Sequence, residues 1–362
     1  MTLTDEASDL LALRELADDI FFAATEPVLD AQERRLAYDP VLWSTLCASG
    51  LTLMTTPEEL GGSGAGLREL AVVLESAGYH AAPVPIAEHD LLASWLLRSA
   101  GLTPSAGPMT SAVSTATLSG RHLTATLDSI PWADVAELVV IAGDGFVAAI
   151  PRRDYAITAG ADLAGQPCDR VHVDTEIDAA RIGSVSAGLG MEFQLRGALA
   201  RSLQTCGALA RALDLSCVHV QQREQFGRPI AKFQAVQKLI ADAAGALAVA
   251  KTATDFAIAA ASSQGFCSSN AQVAVSVAKI ETARAATVVA RNAHQVHGAI
   301  GFTLDHRLRH FTTRALAWRS EFGAQYQWRR RLGHRALESA GTLWEFVTES
   351  PIGPAVNAGT SM

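Results

Sequence analysis

The chain has 362 residues, of which 49% are apolar, 6% aromatic and 18% charged, and its 29 basic and 37 acidic side chains leave a net charge of -8. So apolar a chain can fill the cores of two or three domains, which excludes disorder over most of its length. The acidic balance excludes a nucleic-acid polyanion as a general partner, but it allows a local basic patch for a small phosphorylated ligand.

The first part of the chain reads as helices. Asp5 is a candidate N-cap for a helix carrying Leu10, Leu13, Leu16, Ile20 and Phe21 at close to helical spacing, and a second helix runs from Pro40 to Ala48 and stops near Gly50. The breaker-rich stretch Pro57-Glu58-Glu59-Leu60-Gly61-Gly62 is a loop, and helical patterning resumes over Leu67–Ala77 and Ile86–Ala100. From about 108 the texture becomes β-prone. The runs Leu138–Ile141 and Phe146–Ile150 flank Gly143-Asp144-Gly145, a hairpin signal, and Ser114–Ser129 and Val171–Ile177 supply further strand material. Five or six strands are expected there. Beyond Gly188 the pattern predicts helices at Leu195–Gln222, Phe233–Ser262, Asn270–His297, Leu304–Trp318 and Glu321–Glu338, rich in Ala and able to pack closely.

The predicted architecture is therefore mostly α with a small β domain. It comprises an N-terminal helical domain (1–107), a middle β-barrel-like domain (108–185), a C-terminal four-helix bundle (186–345) and a loose tail (346–362). A cleft between the β domain and the bundle is the natural ligand site. The five cysteines, Cys47, Cys168, Cys206, Cys217 and Cys267, are scattered without a CxxC pair, which suits reduced thiols in a cytoplasm and argues against a zinc site or disulfide scaffold. The acidic N-terminus does not read as a signal peptide, and the lack of a long uninterrupted apolar run predicts no membrane insertion. His294 and His297 have helical spacing but no third ligand, so packing or capping roles are expected; His306 and His310 have Asp305 nearby, but the intervening Arg307 and Arg309 read as a charged surface, and no metal is expected.

Three stretches are specific: Arg223-Glu224-Gln225-Phe226-Gly227-Arg228-Pro229-Ile230 with Phe233 following, Gln295-Val296-His297-Gly298-Ala299-Ile300-Gly301-Phe302, and the Pro57–Gly62 loop. Gly227 and Pro229 end a helix and leave the Arg223 fork free to face a diphosphate, while the small residues after Gln295 let backbone amides approach a ligand. In this order and separation the chain resembles the acyl-CoA dehydrogenases. The resemblance implies FAD as cofactor, α,β-dehydrogenation of an acyl-CoA, and electrons passed to an electron-transfer flavoprotein. It also implies that Arg223, Gln225, Phe226, Phe233, Gln295, Gly298 and Ala299 contact the ADP half of FAD across a subunit interface.

The same resemblance exposes departures. The family's general base is a carboxylate at one of two positions, which here are Gly197 and Phe322. Glu321 is one residue from the second, a displacement that on a helix turns a side chain by about 100°, and it is the candidate base of this chain. The motifs that cradle the flavin ring in relatives are missing, and only Trp132 stands in a comparable place. Two functions follow: a self-sufficient acyl-CoA dehydrogenase using Glu321, or the base-lacking partner in an α2β2 enzyme, completing the FAD site of an acid-bearing chain. Either requires an oligomer, which the Ala-rich, weakly charged helices between 233 and 299 also suggest.

Overall fold

The computed structural model describes residues 3–30, 37–186 and 188–339, together with 342, 344 and 346. Three helices open the chain: α1 (Leu3–Thr25), α2 (Pro40–Ala48) and α3 (Leu67–Tyr79). Asp5 lies inside α1, not at its N-cap position as expected. α2 starts where Asp39 accepts hydrogen bonds from the Val41 and Leu42 amides (2.9 and 3.0 Å), with Pro40 pre-set in the first turn. The segment expected as one helix from Ile86 is a π-helical stretch, Ala87–Ser94, that tightens into α4 (Trp95–Ser99). Its wider turn sets Glu88, His89 and Asp90 in succession into the interior. Such turns inside helices concentrate at functional positions.

Eight strands follow, more than expected, in two four-stranded sheets. β1 (Met109–Val113), β4 (Leu138–Gly143), β5 (Phe146–Pro151) and β8 (Ile182–Ser184) form one, in the order β1-β4-β5-β8. β2 (Thr117–Ser119), β3 (His122–Pro131), β7 (Cys168–Glu176) and β6 (Tyr155–Thr158) form the other, in the order β2-β3-β7-β6. The predicted hairpin is β4–β5, turning at Asp144 and Gly145 with Gly143 opposite Phe146. β3 and β7 alternate buried and exposed residues, and their inward Leu123, Leu127, Val171 and Val173 join Val139, Ile141 and Ile150 in one core.

The C-terminal half is a bundle of α5 (Leu189–Gln222), α6 (Gln234–Gln264), α7 (Ser269–His297) and α8 (Leu308–Trp318), with α9 (Gln325–Glu338) hydrogen-bonded along α7. α6 is long and apolar enough to cross a membrane by length and composition, a property that a search for uninterrupted runs overlooks. In the fold its Ala243, Ala246, Leu247 and Ala250 share a core with residues of α5, α7 and α8. α5 also packs against α3, and there Gly78 and Gly207 let the backbones touch. A methyl on Gly78 would overlap the Gln204 carbonyl, and one on Gly207 the Glu75 carbonyl. α9 begins at Gln325, so Glu321 lies in the preceding turn and not in a helix as expected. The expected tail after Phe346 is outside the described residues.

Candidate functional site

Two cavities hold the residues singled out in the sequence. The first, about 550 Å³, opens where α5 ends, and Arg223, Gln225, Phe226, Phe233, Gln295, Gly298 and Ala299 all line it. Arg223 is the C-cap of α5. The chain then makes a two-stranded ribbon, β9 (Glu224–Gln225) with β10 (Arg228–Pro229), whose turn holds both Phe226 (φ 53°) and Gly227 (φ 77°) in the left-handed region. A two-residue turn of this hand needs that at both positions. For a phenylalanine it is an uncommon conformation. Phe226 is 91% exposed, yet packs edge-on to Phe233 at 6.0 Å, and Arg228 covers the Phe233 ring at 4.4 Å. The Arg223 guanidinium forms no hydrogen bond or ion pair with a described residue. Opposite it, α7 ends at Gly298 (φ 65°), with open space where a side chain would stand. A forked cation without an anion, an exposed aromatic face and an accessible glycine backbone match the chemistry of a nucleoside diphosphate.

The second cavity, about 760 Å³, lies between the β sheets and the bundle, as the architecture suggested, and Glu88, Ser111, Ser129, Phe193, Glu321 and Phe322 are among its walls. Its two glutamates share one buried cation. Arg201 of α5, 5% exposed, gives Nη2 to Glu88 Oε1 (2.5 Å), Nε to Glu321 Oε2 (2.7 Å) and Nη1 to Gln204 Oε1 (2.6 Å). Burial opposes its charge, but the Glu321 and Glu88 carboxylates outweigh that and raise the pKa of Arg201 further. Glu88 keeps one oxygen, Oε2, buried without a hydrogen bond. Beneath lies Lys279, donating to the Trp318 carbonyl (2.7 Å) and pushed down to about 7 by burial, against the pull of Glu321.

The two positions that the resemblance gives for the base meet at the Phe322 wall of this cavity. Phe322, at φ 53°, lays its ring on Gly197, where even a methyl group would overlap it. The turn is held by Gln194, which donates to the Phe322 carbonyl (3.3 Å), and by Trp328, which donates to the Gly323 carbonyl (3.2 Å). Phe193 packs against the same ring at 5.8 Å. Trp132 is buried and lines a smaller pocket that shares Glu88, Pro131, Cys168 and Glu321 with the larger cavity. Among the described residues no group of three His, Cys, Asp or Glu is placed to hold a metal ion.

Sequence reading missed Glu88 and Arg201, because their pairing joins positions 113 residues apart and no local pattern announces it. It also missed His219, which lines the smaller cavity one helical turn before Arg223. That spacing was a usable signal.

Comparison with known proteins gives the class. Residues 7–102 match the acyl-CoA dehydrogenase N-terminal domain and 191–337 the acyl-CoA dehydrogenase C-terminal domain. The acyl-CoA dehydrogenase IpdE2 of Mycolicibacterium smegmatis is 30% identical over 81% of this chain and 87% of its own length. FadE27 of Mycobacterium tuberculosis, also an acyl-CoA dehydrogenase, is 27% identical over 93% and 99%. A crystal structure of the ChsE4-ChsE5 complex from Mycobacterium tuberculosis superposes with a TM-score of 0.82 at 25% identity, covering 92% of this chain and 98% of that one.

The chain belongs to the acyl-CoA dehydrogenase family. Its chemistry is therefore FAD-dependent dehydrogenation across the α,β bond of an acyl-CoA, an oxidation at a CH–CH group.

Proposed function

We propose that this chain works in an acyl-CoA dehydrogenase built from two kinds of chain, supplying the ADP-binding face of an FAD site while the partner supplies the general base. The observation that carries this is the Phe322 ring on Gly197. Both positions at which the family holds its carboxylate are filled here by one apolar contact. Dehydrogenation needs a carboxylate within hydrogen-bond reach of the substrate α-proton. The FAD-facing residues, by contrast, gather on one cavity with an unmatched cation among them.

In this reading Arg223 holds the diphosphate with its fork, Gln225 and Gln295 add hydrogen bonds, and Phe226 and Phe233 offer flat apolar faces to the adenosine. Gly298 and Ala299 let the backbone come close. FAD, when bound, accepts the hydride that leaves the β-carbon. The Arg201 bridge keeps Glu321 engaged with a buried cation, which suits a wall residue better than a base. The division into segments 1–107, 108–185 and 186–345 is part of the same reading, as are passage of electrons to an electron-transfer flavoprotein and a cytoplasmic setting for the five free thiols.

A second reading keeps one specific support: Glu321 does line the larger cavity, 29% exposed, so a homo-oligomer could use it as base if Arg201 released it. The two readings separate on purification. The first expects little flavin on this chain alone and stoichiometric FAD on co-expression with an acid-bearing dehydrogenase chain. A yellow homo-oligomer bleached by an acyl-CoA supports the second.

A further inference from the structure

We propose that His219 is a second, proton-dependent ligand for the diphosphate held by Arg223, so that this site takes up a proton from solvent when it binds. The inference rests on the reading that the smaller cavity receives the ADP half of FAD.

The geometry begins with α5. His219 and Arg223 stand one turn apart at its C-terminal end and both line the cavity. Side chains four apart on a helix share a face. The end of a helix that carries free carbonyls repels an anion and favours cations, so an anionic ligand there depends on side-chain charge. Arg223 supplies one such charge. His219 is the other group on that wall able to do so, and neither of its ring nitrogens forms a hydrogen bond with a described residue.

The surroundings disfavour a charge on His219. Its ring stacks on His297 of α7 (centroids 4.4 Å, 22° between planes), and His297 meets His306 edge-on at 4.7 Å. His297 donates from Nδ1 to the Ala293 carbonyl (2.8 Å), which leaves its Nε2 as a buried acceptor without a partner. Around this stack stand Arg223 on the same helix, His294 on α7, and Arg307 before α8, where Arg307 is bridged to Asp30. No carboxylate acts on His219 itself. Burial, and after it the Arg223 charge, hold its pKa below the ordinary histidine value; His297 is pushed down to about 4 by burial.

A diphosphate beside Arg223 reverses the balance, since it offsets the guanidinium and supplies the counter-ion that His219 lacks. The sign follows. The bound pKa exceeds the free one, so binding is tightest where His219 is protonated in the complex and weakens as pH rises through the bound pKa.

The test uses the full-length chain co-purified with its acid-bearing partner and stripped of flavin, and ADP-ribose, whose diphosphate is esterified at both ends and does not titrate near neutrality. Affinity is measured by calorimetry at about pH 6 and about pH 8, in two buffers of different ionisation heat. Wild type should bind roughly tenfold tighter at the lower pH for each unit of pKa shift, with proton uptake visible as a buffer-dependent heat. His219→Gln should bind like wild type at the higher pH and lose both the pH slope and the uptake. His219→Arg should bind at both pH values without a slope. Equal slopes in wild type and His219→Gln overturn the role of His219 while leaving the ADP reading intact. No binding by wild type at either pH overturns both.

Discussion

The two cavities differ in how their charges are settled. In the larger, the wall residues Glu88 and Glu321 are matched by the buried Arg201, and the Phe322 ring lies on Gly197. In the smaller, Arg223 and His219 face open space without a hydrogen-bonding partner among the described residues. A buried charge satisfied from within serves the fold, because exposing or removing its partner is costly. A charge left unmatched on a cavity wall is available to a ligand. On this contrast we propose that the Arg201 bridge serves the fold and that the α5 terminus is open to a ligand.

Substitutions can break that contrast. Arg201→Met leaves Glu88 buried without its cation and should destabilise the fold by about 3–5 kcal/mol, read from chemical denaturation. A loss below about 1 kcal/mol, the range of an exposed pair, would show that the triad is not a structural bridge. Arg223→Ala should leave folding untouched and weaken ADP-ribose binding by roughly 1.5–3 kcal/mol for each charge-assisted bond removed, measured by titration. Gly197→Ala drives a methyl into the Phe322 ring and should cost about 1–3 kcal/mol by overpacking. Adding Phe322→Ala should recover part of that loss, and a strictly additive double mutant would mean that the two positions do not touch.

The remaining effect is spread along a pH limb. His89 is fully buried against the Trp43 edge (4.9 Å), and burial pushes its pKa down to about 3. The unfolded chain therefore binds this proton first as pH falls through the ordinary histidine range. The stability present above that range is lost progressively toward pH 3, by about 1.4 kcal/mol per pH unit. His89→Leu should flatten this part of the acid limb in a series of melts, and an unchanged limb assigns it to other groups such as His310, held near 4 by burial.

Much of the fold was legible because it is written locally. Apolar spacing located the long helices to within a few residues, and Gly143-Asp144-Gly145 marked the β4–β5 hairpin. The seven residues proposed as FAD contacts line one cavity because they belong to two contiguous motifs, and a contiguous motif stays together when the chain folds. What escaped was non-local or conformational. β1 pairs in parallel with β4 across 29 positions, and its Met109–Val113 run carries no turn signal. Glu321 was read on a helix, but Phe322 and Gly323 at positive φ make the turn that brings the ring onto Gly197. The charge of Arg201 is settled by partners 113 and 120 positions away, which no window along the sequence contains.

The central claim is that the base belongs to the partner chain, and Glu321→Gln tests it most directly. The substitution keeps size and removes the carboxylate. Flavin reduction by an acyl-CoA is followed by rapid mixing in the complex of this chain with its acid-bearing partner. The account predicts a rate within about threefold of wild type with FAD still bound, since loss of a general base costs about 10²–10⁴-fold and Glu321 is not one. A drop of that larger size, at unchanged FAD content and unchanged ADP-ribose affinity, would contradict it and make Glu321 the catalytic base of this chain.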